Sequence, residues 1–312
     1  MSEFHHIPVL FDEVITGLAI KPGGTYVDCT VGGGGHAQGI LAKAGDGGLL
    51  IGIDRDPAAL EAAQRRLQKG PGRFVLVHSN YTELDKVLAA HQIDGVDGFL
   101  FDLGVSSHQL DMKDRGFSYH QDAALDMRMN PQASLSAYDV VNGYSERELA
   151  RIIGEYGEER WAKRIAEFIV ARRQTGPITT TGQLVDIIKA AVPASARRLG
   201  PHPARRTFQA IRIEVNGELE GIKPAIISAI DHLKPGGRIC VISFHSLEDR
   251  IVKQSLQESA KGCVCPKDLP VCTCGNVPKV RLITRKPITA GQEELATNPR
   301  ARSAKLRVAE RL

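Results

Sequence analysis

Two periods of apolar positions share the first hundred residues. Val9, Leu10, Val14, Ile15 and Leu18 recur at helical spacing, so Phe4 to Ile20 predicts an amphipathic lead-in helix. Short apolar runs then begin at Tyr26-Val27-Asp28, Leu49 to Asp54, Phe74 to His78 and Val96 to Asp102, each of strand length. Between them lie helix-like segments from about Ala37 to Ala44, from Pro57 to Gln68 with proline at the first helical position, and from Glu83 to His91. The alternation β-α-β-α-β-α-β predicts an α/β fold with a mainly parallel, Rossmann-like sheet and a ligand site at the carboxyl ends of its strands. Asp28, Asp54, the pair Asn80-Tyr81, and Asp102 all fall on that edge.

Past Asp102 the pattern changes. Leu103 to Asp111 and Arg115 to Pro131 read as loops, and helical segments follow. Ser145-x-x-Glu148 is a capping box opening a helix with Leu149, Ile152 and Ile153 on one face. Trp161, Ile165, Phe168 and Ile169 form a second core-type stripe; Leu184, Ile187, Ile188 and Ala191 form a third, stopped by Pro193. Residues 111–211 therefore predict an all-helical domain inserted into a discontinuous sheet domain, 1–110 and 212–312. In that second half Glu218 to Leu233 reads as helix, Lys234-Pro235-Gly236-Gly237 as a turn and Arg238 to Phe244 as a fifth strand. Val280 to Thr284 and Lys305 to Val308 finish the sheet as an antiparallel edge. No internal repeat is present.

With 312 residues the chain has room for two domains and a large core. It has no apolar run of about 18 residues and no signal-type start, so the expected compartment is the cytoplasm. The net charge is +4, unevenly spread. Arg281 to Leu312 carries eight Lys/Arg against three acids, and Arg197-Arg198 with Arg205-Arg206 forms a second basic run. Either cluster alone reads equally well as a solvated face; together they favour a polyanionic substrate.

The chemistry begins at Asp28-Cys29-Thr30-Val31-Gly32-Gly33-Gly34-Gly35-His36. A strand running into glycines and then a helix lets backbone N–H groups approach a ligand closely. Asp54 follows about 20 residues later at a strand tip, suited to both hydroxyls of a ribose. Gly32-x-Gly34-x-x-Ala37 also fits a dinucleotide fingerprint, so NAD remains an alternative. Asp28 and the absence of a pyrophosphate partner tilt the site toward a cofactor carrying positive charge, as S-adenosylmethionine does. Gly104-Val105-Ser106-Ser107-His108 lacks the last glycine of a nucleophile elbow, and His245 with Ser246 and Asp249 reads as a strand-tip cluster rather than a triad. Cys263-x-Cys265 and Cys272-x-Cys274 fit zinc knuckles and reduced loop thiols equally, so the site residues include no metal ligand.

One family unites these features. The runs His6-Ile7-Pro8-Val9-Leu10, Gly34-Gly35-His36, Asp54-Arg55-Asp56-Pro57, Asp102-Leu103-Gly104-Val105-Ser106-Ser107 and Arg115-Gly116-Phe117-Ser118 appear in order. Leu125-Asp126-Met127-Arg128-Met129, Arg206-x-Phe208-Gln209-Ala210, Ser243 to Arg250 and Arg302 to Arg307 follow. In these motifs, across essentially its whole length, the chain resembles the bacterial RsmH (MraW) methyltransferases, which modify N4 of a cytosine in small-subunit (16S) ribosomal RNA. The resemblance implies a class I S-adenosylmethionine-dependent fold, with Gly34, Gly35 and His36 along the methionine end. Asp54 would hold the ribose and Tyr81 flank the adenine, while Asp102 and Gln109 complete the cofactor site. His108 departs from the family, which usually has proline there. Asp102 is also the expected catalytic residue, Phe117 or Tyr119 would stack on the target base, and the inserted helices and basic tail would grip the RNA. A non-catalytic RNA-binding protein would explain the charge but not acids at successive strand tips.

Overall fold

The computed structural model describes residues 8–106, 113–198, 201–263, 265, 271 and 273–312. Its centre is a seven-stranded sheet of order β3-β2-β1-β4-β5-β7-β6. The strands are β1 (Thr25–Asp28), β2 (Leu49–Asp54), β3 (Arg73–His78), β4 (Val96–Asp102), β5 (Leu233–Ser243), β6 (Val280–Leu282) and β7 (Lys305–Arg311). The first five in that order run parallel, β7 pairs antiparallel with β5, and β6 with β7.

The near-continuous apolar runs are explained by burial on both faces. Tyr26, Leu50, Leu100 and Cys240 pack on one side against α1 (Phe11–Leu18) and α2 (Gly35–Ala44). Their strand neighbours Val27, Ile51, Phe99 and Ile239 pack on the other with Ile226 and Ile230. The chain enters the sheet at β1, adds β2 and β3 on one side, then crosses to place β4 on the other. That reversal of strand order lies between β1 and β4, where open α/β sheets leave a crevice at their carboxyl ends.

Two sequence expectations change in form. Lys234 to Gly237 turns as expected, but inside β5: Leu233 pairs with Val96 and Arg238 with Gly98, so the intervening residues bulge from the ladder. Gly236 takes φ +74° there, a conformation costly for other residues. The basic C-terminal run is largely an edge of the sheet. Arg307 is buried, its Nε donating to Asp249 Oδ1 at 2.7 Å and its Nη2 to Oδ2 at 3.2 Å, and Arg281 pairs with Glu310 at 2.6 Å.

The chain divides into two compact units, one of residues up to Gly104 and from Leu219, the other Val105–Glu218. Among its described residues the second is all helical apart from a short 3-10 turn and one isolated bridge. It contains α5 (Ala137–Gly143), α6 (Glu146–Glu155), α7 (Ala162–Arg173), α8 (Thr181–Ala191), α9 (Ala194–Arg197) and α10 (Arg205–Asn216), numbered after α3 (Pro57–Leu67) and α4 (Leu84–Ala90). Ser136, Ser145 and Thr180 each cap a helix reciprocally with Asp139, Glu148 and Gln183, so the expected capping box at Ser145 is one of three among this unit's described residues. Leu149, Ile153, Ile165, Ile169, Leu184, Ile188, Phe208 and Ile211 share one buried core. No helix among the described residues is long and apolar enough to cross a membrane.

Candidate functional site at the β1–β4 strand tips

The ends of β1, β2 and β4 form one acidic edge, stitched together by backbone donors. Cys29 N–H donates to Leu100 O at 2.8 Å and Val31 N–H to Ile53 O at 2.9 Å, carrying the loop after β1 across both neighbours. Gly32, at φ +50°, turns its N–H onto Asp54 Oδ2 at 2.8 Å, while Asp56 N–H reaches Asp54 Oδ1 at 2.9 Å. Each oxygen of Asp54 thus accepts one backbone bond and retains a second lone pair. Asp56 caps α3 through Ala58 N–H at 3.1 Å.

The glycines divide the work. Among the described residues a Cβ on Gly32 would meet only Thr30 O, at 3.8 Å, so none of them packs closely on this turn. Gly34, at φ +76°, lies against α3, where a Cβ would come within 3.1 Å of Ala63 Cα. Gly35 lies against Pro8, at 2.5 Å from its Cγ by the same measure. Gly34 and Gly35 therefore let the start of α2 close onto the protein itself.

Asp102 is held by its own backbone. Its N–H donates to Thr30 Oγ1 at 2.6 Å, a contact between residues 72 positions apart that gave no sequence signal beyond the nearness of Thr30 to Asp28. The carboxylate has one oxygen, Oδ1, that is buried and without a hydrogen-bond partner among the described residues. The other, Oδ2, is 3.7 Å from His36 Nδ1, and the side chain keeps 28% of its exposure. His36 itself is buried: Nε2 is 3.0 Å from Val9 O, and the ring stacks on Phe11 with centroids 6.1 Å apart.

These acids disturb one another. Burial pushes Asp28 up to about 7, against the 3.1 Å bond from Thr30 N–H and with the charge of Asp54 adding to it. Burial likewise pushes Asp102 up to about 8, helped by Asp28 and Glu248. Asp54 is raised by burial despite its two N–H bonds. Such a cluster stores repulsion that a cation would relieve.

Tyr81 opens a 3-10 turn, Tyr81–Glu83, capped by Asn80. It is buried edge-on against Phe101 with centroids 5.9 Å apart, and Arg55 Cζ sits 5.7 Å from its ring centroid. A flat ligand on that ring face would displace the guanidinium. His245 is the N-cap of α12 (Ser246–Ser259; α11 is Ile222–His232), its Nδ1 accepting from Glu248 N–H at 3.4 Å. Glu248 in turn accepts from Phe244 N–H at 2.8 Å and adds a buried carboxylate that residue order alone does not mark out. Gln109 and His108 lie outside the described residues.

In the helical unit the aromatic expectations separate. Phe117 is buried in the core with Arg115 Cζ 5.9 Å from its ring centroid. Tyr119 is only partly buried and stacks on His202, centroids 4.8 Å apart and planes 14° apart. Arg197, Arg198, Arg205 and Arg206, on either side of His202 in the chain, are exposed. The Leu125 to Met129 motif serves local structure: Arg128 pairs with Asp126 at 2.7 Å, and Asn216 bonds Met127 O and Met129 N–H, both at 2.8 Å.

Comparison with known proteins agrees over the whole chain. "Ribosomal RNA small subunit methyltransferase H" of Geobacter sulfurreducens is 58% identical over 309 residues, covering 99% of each chain. The protein of that name from Brevibacillus brevis is 57% identical over 309 residues, 99% of this chain and 98% of its own. That from Clostridioides difficile is 56% identical over 310 residues, 99% of this chain and all of its own. Among solved structures, an rRNA methylase from Streptococcus thermophilus is similar at 11% identity and a TM-score of 0.42, over 97% of this chain and 93% of that one. The MraW methylase family model matches residues 3–312, and the chain belongs to that family.

Proposed function

We propose that this methyltransferase transfers the methyl group of S-adenosylmethionine to the exocyclic N4 of a cytidine in 16S ribosomal RNA of the small ribosomal subunit. The cofactor follows from membership of a methylase family, and the residues present fit it. Three neighbouring carboxyls, Asp28, Asp54 and Asp102, each raised chiefly by burial, offer a cation a favourable seat. Asp54 keeps free lone pairs for a ribose diol, and no described residue packs closely on the turn at Gly32. In this reading Gly34, Gly35 and His36 form the methionine end, Tyr81 flanks the adenine and Gln109 completes the set. When bound, the cofactor supplies an electrophilic methyl group on a positively charged sulfur.

The ribosomal substrate is supported by the names that the relatives carry. The cytosine amino group is supported by the family resemblance and by one observation, the buried Oδ1 of Asp102, which has no partner among the described residues. A cytosine amine is a weak nucleophile because its lone pair is delocalised into the ring. An acceptor that takes one of its N–H bonds orients the remaining lone pair and relieves positive charge as the methyl arrives. With a carboxyl raised to about 8, Asp102 is also matched to taking up the proton. The helical unit, with its exposed arginines at 197, 198, 205 and 206 and its Tyr119–His202 stack, serves RNA recognition.

Transfer of labelled methyl to small ribosomal subunits, followed by nucleoside analysis, tests this. Label in N4-methylcytidine is expected. Label in another nucleoside would refute the position, and its absence with cofactor bound would refute the substrate.

A further inference from the structure

Between α12 and β6 the described residues, 260–263, 265, 271 and 273–279, belong to neither helix nor strand. From Lys261 to Pro278 no side chain among the described residues is buried, and Val271 and Val277 are 70% and 71% exposed. Described residues so exposed need another source of order than a buried core.

Sulfur supplies one. Cys263, Cys265 and Cys274 bring their Sγ atoms within 4.8 Å of one another, and Cys263 and Cys274 are 3.8 Å apart. Backbone N–H groups point at two of these sulfurs: Thr273 N–H donates to Cys265 Sγ at 3.4 Å and Asn276 N–H to Cys274 Sγ at 3.5 Å. The Asn276 side chain then ties back to Lys261 O at 3.1 Å and Gly262 O at 2.7 Å, closing the loop on itself. The 3.8 Å separation has a chemical meaning. Sulfurs about 2.3 Å from one tetrahedral ion stand ~3.8 Å apart, whereas a disulfide requires about 2.05 Å. N–H donation to sulfur stabilises the thiolate form that a metal requires.

We propose that Cys263, Cys265 and Cys274 are ligands of a structural zinc ion that clasps the α12–β6 connection. Soft thiolates select zinc over the oxygen-seeking divalent ions. Cys272, the partner of Cys274 in the second C-x-C pair, lies outside the described residues. The two remaining described thiols, Cys29 and Cys240, are buried in the sheet domain and take no part.

The test uses the full chain, purified under reducing conditions, exposed to zinc chloride and dialysed against metal-free buffer. One equivalent of zinc per chain is expected by mass spectrometry of the metal. Cobalt(II) in its place should give the intense visible absorption of a tetrahedral thiolate site. Cys263→Ser and Cys274→Ser should each lose both signals while circular dichroism and S-adenosylmethionine affinity stay unchanged. Wild-type chain that retains no zinc, or that gives cobalt the weak spectrum of an octahedral oxygen site, overturns the proposal. So does a Cys263–Cys274 disulfide persisting under the same reducing conditions.

Discussion

Asp102 concentrates the tension of the site in one carboxyl: buried on one oxygen, without a partner there among the described residues, and raised to about 8. An ordinary aspartate ionises near 4. The folded chain therefore holds protons on Asp102 and on Asp28, raised to about 7, through a range in which the unfolded chain has released them. Their contribution to stability is fully present below about pH 4 and is lost as pH rises toward 8. Asp102→Asn removes the charge and keeps the shape, so it should stabilise the cofactor-free protein at pH 8 by roughly 1–3 kcal/mol. The same substitution should lower turnover by about 10²–10⁴-fold, and thermal melts alongside methyl transfer measure both. A variant that is destabilised yet fully active would remove Asp102 from its proposed role. The same acids set the pH dependence of ligand choice. S-adenosylmethionine and S-adenosylhomocysteine share an amino group, but only the former carries a fixed sulfonium charge. The ratio of their affinities should therefore rise in favour of S-adenosylmethionine between pH 6 and 8.5, as calorimetric titration would show. A flat ratio would mean that these carboxyls do not face the sulfonium.

Elements carry the next level of argument. The loop from β1 into α2 works because Gly34 takes φ +76° while packed on α3. Gly34→Ala strains the backbone and pushes α3 outward, which should cost about 1–3 kcal/mol and weaken cofactor binding as well, since the turn at Gly32 rests on this packing. At the far edge, Asp249 on α12 pairs with Arg307 on β7 and with Lys305. Against burial, which would raise it, these two cations hold Asp249 below the usual carboxylate range. Its stabilising contribution is present above about pH 4 and lost as the pH falls further. Asp249→Ala leaves the buried Arg307 guanidinium uncompensated and should cost ~3–5 kcal/mol, with a drop in melting temperature but no change in which nucleoside is methylated. An unchanged melting temperature would show that solvent reaches Arg307 after all. Much of this level is legible from residue order. Ser145 with Glu148, Pro57 after Asp56 and the apolar strand runs act within a few positions of themselves. The helix α10 is harder to read, because it opens on the exposed charge run Arg205-Arg206 and only then puts Phe208, Ile211 and Val215 on one buried face.

For the whole molecule the basic clusters are the features that change meaning on folding. The C-terminal run, read as a tail for RNA, puts Arg307 in the sheet domain's interior and Arg281 on Glu310. The arginines at 197, 198, 205 and 206 stay exposed. Replacing these four arginines by glutamine should reduce the salt dependence of RNA binding by about one unit of slope for each phosphate no longer neutralised. Methylation of the subunit should fall with it while S-adenosylmethionine affinity is kept. Loss of cofactor affinity in that variant would argue that the run supports the fold rather than the RNA.

The sequence by itself determined the order of elements, the acids at the ends of β1, β2 and β4 and the helical character of the middle of the chain. These follow from periodicity, capping and turn chemistry, which act over a few residues. Only the tertiary structure decided which glycine packs on a helix, that His245 is a cap, and that Thr30 holds Asp102 from 72 positions away. It also decided that three surface thiols converge and that one cation of a basic run, Arg307, is interior while most of the others stay at the surface. Each of these depends on what lies opposite a side chain once the sheet has formed, and residue order carries no local signal of that.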